Sequence, residues 1–375
     1  MRICVVTHYM PPHRGGVERV AEAITAGYAK AGHIVTWVAA SDGARGADGP
    51  PEIDRVLLPA SNFLERRFGM PYPLPAPWAL GPLHAAVTAA DIVHLHDCLY
   101  LPNVLADEIA RRRKIPSLVT QHVAMGSFSS VVNPPLRLAY RTVGRSVLRR
   151  AGRVVFISEH VRQWFSDNVD ASLRTEIIPN GVDTNTFRVA DSARRQSARR
   201  HLGLPLDVPV VLFVGRLVPQ KNIGVLAAAL SLVRVPWHAL VIGDGPERPQ
   251  IEGLGRRLTH RTDVPPQEMP EVYAAADIFV LPSPREGLPI SLLEALAAGL
   301  PAVLCDDQAF ASLVTAGASI VPPRAADVAA AVEKLLADPI ERARRGDAAR
   351  RWAGAHASDA TVIPRYLALI NEIVA

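Results

Sequence analysis

Cysteine is scarce in this sequence. The three cysteines, Cys4, Cys98 and Cys305, lie far apart along the chain and in apolar surroundings. A disulfide-stapled fold needs closely spaced pairs of cysteines, and a structural zinc site needs a full set of ligands. The sequence therefore argues against both and predicts three reduced thiols buried in hydrophobic cores.

Long apolar runs are also absent. No run reaches the roughly 18 residues that a membrane-spanning helix requires. The chain begins with a strand-like segment, MRICVVTHYM, and not with a basic region followed by a cleavable apolar stretch. We therefore expect a cytoplasmic protein, and peripheral contact with the inner face of the membrane stays an open option.

Three ligand-binding patterns are missing or incomplete. The dinucleotide fingerprint G-x-G-x-x-G does not occur. His94, His96 and Asp97 alternate as metal ligands could, but no further ligand set follows them. Basic residues are not interleaved with stacking aromatics, which argues against a nucleic-acid partner.

What the chain does contain is a regular alternation of apolar strands and helices. Its 375 residues, 49% of them hydrophobic and 21% charged, suit two globular domains with buried cores. Such alternation is typical of doubly wound α/β domains. The predicted strands are RICVVTHY, HIVTWVAA, DIVHLH, SLVTQH and RVVFIS in the first half, and VPVVLFVG, HALVIGD, DIFVLPS and AVLCD in the second.

Two glutamates flank the start of a predicted helix in EGLPISLLEALAAGLPAV. Glu286 lies at the mouth of this helix and Glu294 in its first turns, and Pro289 suits the first turn. A helix N-terminus attracts anions, and a carboxylate further along can accept hydrogen bonds from sugar or ribose hydroxyls. Two glutamates alone are usually solvated surface, but with the cations upstream they indicate a sugar nucleotide.

Those cations are Arg216 and Lys221, which follow the strand VPVVLFVG in the loop GRLVPQKNI. Two fixed cations after a strand can neutralise a diphosphate and stay with it as it leaves. The alternative interpretation is an ordinary solvated loop.

The chain resembles glycosyltransferase family 4, the retaining enzymes of the GT-B fold. The resemblance implies an α/β GT-B architecture, in which two doubly wound Rossmann-like domains face a central cleft. It rests on motifs in family order: HYMPPHRGGVERV at 8–20, TQHV at 120–123, VVFISEHVRQWF at 154–165, IIPNGVDTNTF at 177–187, GRLVPQKNI at 215–223, VIGDGPER at 241–248 and EGLPISLLEALAAGLPAV at 286–303.

The resemblance also implies a division of the chain. Residues 1–185 are expected to form an N-terminal, acceptor-side Rossmann-like domain, and residues 186–355 a C-terminal domain that binds the nucleotide sugar. The connection is expected near 183–206. A final helix in 356–375 is expected to cross back to the N-terminal domain.

Site residues follow from the resemblance, motif by motif. His122 would touch the transferred sugar, Glu294 would hold the ribose, and the diphosphate would meet the cations. Purely structural roles stay open for the glycine turn, His122 and the Asn180 turn. The implied catalytic residues are His122, Arg216, Lys221 and Glu286; the implied donor-binding residues are Gly15, Gly16, Asn180, Arg216, Lys221, Gly243, Arg261, Glu286, Gly287, Leu288 and Glu294. No metal and no cofactor are implied.

Two segments depart from the family pattern. The family glycine in the short strand that reads the base is absent, and Arg261 or Thr262 takes its place. The segment CDDQAFASLV replaces a family Gly-Gly-x-Pro-Glu turn, which changes one wall of the donor pocket. Asp306 and Asp307 are adjacent and do not form the Asp-x-Asp metal motif of the other large glycosyltransferase fold.

The sequence therefore predicts a metal-independent, retaining glycosyltransferase. It would move a hexose-type sugar from a nucleotide diphosphate sugar, with UDP or GDP as the nucleotide, to a hydroxyl acceptor. The acceptor would be a lipid-linked glycan, a polysaccharide precursor or a small-molecule glycoside. The alternatives are a GT-B sugar phosphorylase, a nucleotide-sugar epimerase and a non-catalytic sugar-nucleotide-binding protein.

The charge distribution bears on the acceptor. The whole net charge of +5 resides in residues 1–188, which hints at an anionic acceptor or an anionic membrane surface. Arg137, Arg141, Arg145 and Arg149 recur every fourth residue, which predicts a cationic stripe on one helix. A solvated helix face is the plainer interpretation. The aromatic and proline-rich segment 62–78 could instead line a pocket for a small acceptor.

Overall fold

The computed structural model describes residues 1–375 except 12, 14, 42–51, 69–71, 123–132, 285 and 307. The chain divides into two compact units, Met1–Gly181 with Val362–Ala375, and Val182–Thr361. Asp307, part of segment 62–78 and part of the motifs at 8–20 and 120–123 fall outside the described residues.

The first unit is built on a sheet that has eight strands within the described residues, in the order β4-β3-β2-β1-β5-β6-β7-β8. Neighbouring strands are parallel except for the pair β3 and β4. The strands are β1 (Arg2–Val6), β2 (Ile34–Ser41), β3 (Ile53–Ser61), β4 (Leu74–Pro75), β5 (Ile92–His96), β6 (Ser117–Gln121), β7 (Arg153–Phe156) and β8 (Thr175–Ile177).

In the described part of the first unit, helices lie between most consecutive strands, as is usual where neighbouring strands are parallel. They are α1 (Gly16–Lys30), α2 (Phe63–Phe68), α3 (Leu80–Thr88), α4 (Leu101–Arg113), α5 (Asn133–Ala139), α6 (Arg145–Arg150) and α7 (Glu159–Asn168). A π-helical turn, Tyr140–Gly144, joins α5 to α6.

The second unit carries a parallel sheet with the order β11-β10-β9-β12-β13-β14 over its described part. Its strands are β9 (Val210–Val214), β10 (His238–Ile242), β11 (Leu258–Arg261), β12 (Ile278–Leu281), β13 (Ala302–Cys305) and β14 (Ser319–Val321). Its helices are α8 (Ser192–Leu202), α9 (Ile223–Leu232), α10 (Pro249–Glu252), α11 (Met269–Ala275), α12 (Ile290–Ala297), α13 (Ala325–Ala337) and α14 (Pro339–His356), and α15 (Asp359–Val374) continues into the first unit.

All nine predicted strands are confirmed, as β1, β2, β5, β6, β7, β9, β10, β12 and β13. They read as continuous apolar runs because central parallel strands are buried on both faces. The five strands that were not among them are edge or near-edge strands: β3, β4, β8, β11 and β14. Their burial is mixed, so their apolar signal is weak.

The last helix packs on the first unit through two glycines. A Cβ on Gly27 would lie 2.5 Å from Ile363, and a Cβ on Gly152 would lie 2.9 Å from Ile373. The absence of those atoms lets α15 lie close against α1 and the start of β7. Arg365 adds a 2.8 Å ion pair with Glu176.

A buried ion pair fixes the amino ends of the central strands of the second unit. Arg199 on α8 bonds to Asp277, immediately before β12, at 2.5 Å, and both side chains are under 10% exposed. Asp277 also accepts a hydrogen bond from the amide of Val210, the first residue of β9. Because every partner is paired, this contact holds β9 and β12 in register without leaving a buried charge unsatisfied.

Candidate active site

In the described part of each sheet, the strand order reverses at one place. In the second unit β9 continues to β10 on one side while its neighbour β12 continues to β13 on the other. In the first unit β1 and β5 are related in the same way. Open parallel sheets bind ligands beyond the carboxyl ends of such a strand pair, because the loops that follow diverge and leave a crevice. The loops after β9, β12, β1 and β5 are therefore the candidate ligand-binding loops.

The loop after β9 carries the two predicted cations. It contains a 3-10 turn, Pro219–Lys221, and then Asn222, which has a left-handed backbone (φ +56°) and precedes α9. The Asn222 side-chain amide donates to the carbonyl of Pro282, 3.3 Å away in the loop after β12. Asparagine tolerates this backbone conformation. The turn therefore fixes Lys221 beside the neighbouring loop, while Arg216 is exposed at the loop's start.

Lys221 and Glu286 form an ion pair across the switch point. The Nζ of Lys221 lies 2.5 Å from Oε1 of Glu286, and the two side chains are 17% and 13% exposed. Partial burial strengthens such a pair relative to one in water. A cation and a carboxylate that were predicted from separate motifs, 65 positions apart, are thus in direct contact.

Glycines in the loop after β10 support the cationic loop. Gly243 has φ +132° and Gly245 has φ +154°, conformations that a side chain disfavours. A Cβ on Gly243 would overlap the carbonyl oxygen of Gly215, and one on Gly245 would overlap that of Leu217. The amide of Leu217 also donates to the carbonyl of Asp244 at 2.8 Å. These glycines let two loops lie directly against each other.

Arg261 lies at the end of the edge strand β11. Its carbonyl accepts the amide of Gly243 at 2.9 Å, and its guanidinium donates to the carbonyl of Leu202 at 3.4 Å. The backbone oxygen at this position is thus engaged with the loop after β10.

Gly287 and Leu288 connect Glu286 to α12. Leu288 is buried at 6% exposure. The helix begins at Ile290, so Pro289 immediately precedes it and does not lie in its first turn as predicted. Proline at this point still suits the entry into a helix, because it has no amide hydrogen to satisfy.

Glu294 lies in the second turn of α12 and is 1% exposed. Its Oε2 accepts a hydrogen bond of 2.7 Å from the hydroxyl of Tyr273 on α11. A buried carboxylate is costly unless it is hydrogen-bonded, so this contact offsets part of that cost and orients the side chain. Tyr273 lies 21 positions before Glu294 and outside the motifs that predict the site.

In the first unit, His122 follows β6 and is 4% exposed. Its Nε2 lies 2.9 Å from Nδ1 of His96 at the end of β5, and the two rings stack. Asn180 also hydrogen-bonds to His122. Burial lowers the pKa of His122 to about 3, so the ring is neutral at pH 7 and can donate from one nitrogen only.

His94, the other histidine on β5, is also bonded to protein groups and not arranged as a metal ligand. His94 is bonded to the hydroxyls of Tyr28 and Thr120, at 3.1 and 2.8 Å. Burial lowers the pKa of His94 to about 3. Over the described residues, no group of three or more His, Cys, Asp or Glu side chains is arranged to hold a metal ion.

The glycine turn before α1 covers a buried carboxylate. Glu18 is 1% exposed, and a Cβ on Gly15 would overlap its Oε2. The Oε1 of Glu18 lies 2.8 Å from Nδ1 of His13 and 3.4 Å from Nε2 of His8. The other nitrogen of His13 lies 3.1 Å from Glu65.

These contacts shift the pKa values of the ionisable groups around the turn in different directions. Burial alone would lower the pKa of His13, but its hydrogen bonds to Glu18 and Glu65 outweigh burial and raise it. Burial likewise opposes ionisation of Glu18, yet His13 and His8 lower its pKa. Burial lowers the pKa of His8 to about 4. At neutral pH the turn thus has an ionised carboxylate beneath it.

Asp97, directly after β5, adopts a left-handed backbone (φ +81°) while it is 4% exposed. Its carboxylate accepts the amide of Leu99 at 3.0 Å and the side-chain amide of Gln121 at 2.7 Å. The side-chain amide of Asn103 donates to the Asp97 carbonyl at 2.8 Å. A non-glycine residue is held in this conformation only where its surroundings impose it, and such residues concentrate at functional sites.

The arginine stripe differs from its prediction. The segment that was expected to form one regular helix instead consists of α5, the π-helical turn and α6. Arg145 and Arg149 both pair with Asp170, and Arg141 donates to the carbonyl of Asn168 at 3.0 Å. Two of the four charges are therefore partly compensated by one carboxylate.

Sequence reasoning missed several residues at these switch points. Glu18, Asp97 and Tyr273 bond directly to, or lie beside, predicted site residues. Glu18 had a local signal, because it follows the glycine pair by two positions. For Asp97 the sequence pattern indicates only a potential metal ligand, and nothing in the local sequence predicts its backbone conformation.

Comparison with known proteins identifies the family. The profile described as "Glycosyltransferase Family 4" matches residues 14–186, and the profile "Glycosyl transferases group 1" matches residues 194–352. A GDP-mannose-dependent alpha-(1-6)-phosphatidylinositol monomannoside mannosyltransferase of Mycolicibacterium smegmatis is 30% identical over 93% of each chain. The chain belongs to glycosyltransferase family 4. It is a glycosyltransferase, as the sequence predicted.

Other relatives of this family-4 chain differ in substrate. A 2-deoxystreptamine glucosyltransferase of Streptomyces kanamyceticus is 29% identical over 70% of this chain and 72% of its own. Among solved structures, Anabaena HepE in complex with UDP-glucose has a TM-score of 0.80 at 18% identity, covering 99% of this chain and 100% of its own. A sucrose-phosphate synthase from Thermosynechococcus elongatus has a TM-score of 0.78 at 21% identity, with 99% and 98% covered. These likenesses confirm the GT-B fold.

Membrane-spanning segments were sought in the helices that the structure describes. None of those helices is both long and apolar enough to cross a bilayer.

Proposed function

We propose that this family-4 protein is a retaining, metal-independent glycosyltransferase that moves a hexose from a nucleotide diphosphate sugar to a hydroxyl acceptor. The ion pair between Lys221 and Glu286 at the switch point of the second unit carries the proposal. A cation there suits a diphosphate, and a carboxylate suits sugar hydroxyls. GDP- and UDP-sugars are the donors to test, because one relative is GDP-mannose-dependent and a structural neighbour is in complex with UDP-glucose.

In this proposal the donor separates the ion pair. Lys221 turns from Glu286 to the diphosphate, which Arg216 and the N-terminus of α12 also face. Glu286 then accepts hydrogen bonds from the sugar. Because the cations remain with the phosphate as negative charge develops on it, they stabilise the transition state more than the ground state.

The bond changes are those of substitution with retention. The bond between the anomeric carbon and the phosphate oxygen breaks, and a bond from the acceptor oxygen forms on the same face of the sugar. The proton of the acceptor hydroxyl passes to the departing phosphate. This reaction needs no metal, because Arg216 and Lys221 supply the positive charge. It also needs no covalent enzyme intermediate.

We assign the remaining roles by unit. Residues 1–185 present the sugar and acceptor contacts, through His122 and the glycine turn at Gly15 and Gly16. Residues 186–355 bind the nucleotide, and the residues around it are Gly243, Arg261, Gly287, Leu288 and Glu294. Residues 356–375 pack on the N-terminal domain. The family resemblance implied contact of the glycine turn with both the donor diphosphate and the sugar. The ionised Glu18 beneath the turn favours sugar hydroxyls there over a diphosphate.

A thermal-shift panel followed by a transfer assay tests the proposal. Nucleoside diphosphates of guanine, uracil, adenine and thymine, and their common sugar conjugates, are added with and without EDTA. A ligand at about 100 times its dissociation constant adds about 2.7 kcal/mol of stability, which such a panel detects. We expect one nucleotide series to stabilise the protein equally well with EDTA, and the product to keep the anomeric configuration of the donor. Strict dependence on a divalent metal, or an inverted product, would refute the proposal.

We also propose that the surface formed by α5, the π-helical turn and α6 contacts anionic lipid. Leu138 and Val143 are 63% and 43% exposed beside the exposed Arg137 and Arg141. Exposed apolar side chains among cations suit a membrane interface. This location fits a lipid-linked acceptor at the inner face of a membrane.

Vesicle flotation tests the lipid contact. The double variant Arg137→Ser and Arg141→Ser should lose binding to vesicles of phosphatidylglycerol and phosphatidylcholine. The matched control, Arg344→Ser with Arg351→Ser on α14, should keep it. Equal flotation of both variants would remove the support for this surface.

A further inference from the structure

In the proposed function Glu294 binds the ribose, and the hydroxyl of Tyr273 is bonded to its carboxylate. The carboxylate is 1% exposed, and the hydroxyl of Tyr273 donates to its Oε2 at 2.7 Å. An ionised carboxylate can accept about four hydrogen bonds, and its plane decides where the remaining ones point. A donor on one oxygen therefore determines which direction the other oxygen offers to a ligand.

Tyr273 is itself held rigidly. It is 1% exposed on α11, and the ring of Phe187 packs edge-on against it, with centroids 5.5 Å apart and planes at 85°. An enclosed aromatic ring with a fixed edge contact has few alternative rotamers. The hydroxyl therefore points at Glu294 with little freedom.

A single arginine ties Phe187 to the helix that carries Glu294. The guanidinium of Arg350 on α14 donates to the carbonyls of Phe187 at 3.0 Å and Thr184 at 2.9 Å. It also donates to the carbonyl of Ala297, the last residue of α12, at 2.8 Å. The segment that packs on Tyr273 and the helix that bears Glu294 thus share one clamp. The phenol and the carboxylate are fixed relative to each other from both sides.

We propose that Tyr273 is a positioning residue for ribose recognition: its hydroxyl orients the carboxylate of Glu294 toward the ribose hydroxyls of the nucleotide. This inference rests on the proposed function, in which Glu294 binds ribose. It adds a specificity role that belongs to a residue outside every motif singled out in the sequence. Its consequence is that removal of one buried hydroxyl weakens selection of ribose without removing any group that touches the nucleotide.

The test compares a nucleotide with its counterpart that lacks the ribose hydroxyls. Calorimetry gives the dissociation constants of GDP, UDP and their 2′,3′-dideoxy forms for the wild type, Tyr273→Phe and Glu294→Gln. The quantity of interest is the ratio of the dideoxy constant to the ribose constant. We expect Tyr273→Phe to reduce this ratio about 10-fold, the effect of a misdirected charge-assisted hydrogen bond. Affinity for the dideoxy forms should stay within about 2-fold.

General damage to the fold gives a different pattern, because it weakens both forms equally and leaves the ratio unchanged. Tyr366→Phe, which removes a buried hydroxyl from the first unit, is the matched control and should leave the ratio at the wild-type value. An unchanged ratio in Tyr273→Phe together with a reduced ratio in Glu294→Gln overturns the role of Tyr273 and leaves the proposed function intact. A wild type that does not prefer ribose overturns the role of Glu294 in the proposed function, and the role of Tyr273 with it.

Discussion

The two units have the same strand arrangement at their switch points but different chemistry. In the second unit, a lysine and a glutamate face each other across β9 and β12, and an exposed arginine lies nearby. In the first unit, the loops after β1, β5 and β6 bring together buried histidines, most of them neutral. The second unit thus offers cations at its switch point, whereas the first offers mainly neutral histidine rings and one carboxylate, Glu18, that is paired with His13.

This contrast indicates that ligand specificity in this fold resides in the loops. The strand arrangement at the switch point is the same in both sheets, and the loops that follow the strands determine the ligand. Fixed charge suits the diphosphate of a donor, whereas neutral imidazoles suit sugar hydroxyls without attracting the diphosphate. Each of the following experiments is designed to change one side of this comparison and leave the other intact.

The largest expected effect comes from the charged side. Lys221→Ala removes the cation that we assign to the diphosphate, and turnover should fall about 10³-fold, as for other groups that stabilise transition-state charge. Steady-state kinetics with the donor found in the thermal-shift panel measures this loss. Lys334→Ala, at an exposed position on α13 in the same unit, is the control and should retain full turnover. Near-normal turnover in Lys221→Ala would remove the basis for our donor site.

His122→Gln tests the neutral side. We expect turnover to fall about 100-fold, because the ring is assigned to the transferred sugar. Affinity for the nucleoside diphosphate should stay within about 2-fold, since the nucleotide is assigned to the other unit. The control is His356→Gln, an exposed histidine on α14. A large loss of nucleotide affinity in His122→Gln would show that the roles of the two units are not separate.

Gly243→Ala tests the position of the cationic loop in the second unit without removing a charge. The new Cβ would overlap the carbonyl of Gly215 at a backbone angle of φ +132°, so the cationic loop must shift. Donor affinity should fall about 10-fold, a typical result of 1–2 kcal/mol of strain. Gly253→Ala is the matched control, because its Cβ would meet no atom within 4 Å. Equal affinities for the two variants would mean that the glycine contact does not support the donor site.

The smallest effect is on stability, and it distinguishes the units by pH. Four buried histidines of the first unit have lowered pKa values because of burial: His8, His94, His96 and His122. The unfolded chain binds their protons near pH 6.5 while the folded unit does not, so stability falls as the pH falls. His13 acts in the opposite direction, because its pKa is raised and its contribution is lost as the pH rises.

When the pH falls from 7.5 to 6.5, the free energy of unfolding of the first unit should decrease by about 1 kcal/mol. Maleimide labelling in a urea gradient measures it, because Cys4 and Cys98 report on the first unit and Cys305 on the second. From pH 7.5 to pH 6.5, the urea concentration at half-maximal labelling should fall for Cys4 and Cys98. It should change less for Cys305. Equal shifts would contradict the assignment of the buried histidines to neutral forms.

Much of the fold could be predicted from the sequence because central parallel strands are apolar on both faces. β1, β9 and β12 are strong examples. β3 escaped prediction because its buried positions are interrupted by exposed ones, and β8 and β14 are only three residues long. The π-helical turn at Tyr140–Gly144 could not be predicted, because it is one short turn inside a segment that is otherwise α-helical.

For the candidate site, the sequence indicated residue types and the structure added geometry. Lys221 and Glu286 were chosen from separate motifs, and only folding brings them within 2.5 Å. Tyr273 could not be selected, because a tyrosine in a helix is most often a core residue and its partner lies on another helix. The strained backbone of Asp97 is imposed by tertiary contacts that no local pattern encodes.

Hydrogen exchange with and without a saturating nucleoside diphosphate tests the central claim most directly. Peptides that cover 215–224, 241–248 and 286–297 should exchange more slowly in the presence of the nucleotide, while peptides of the first unit around His122 and the glycine turn should change little. The reverse pattern, with protection confined to residues 1–181, would contradict the assignment of the nucleotide to the charged switch point of the second unit.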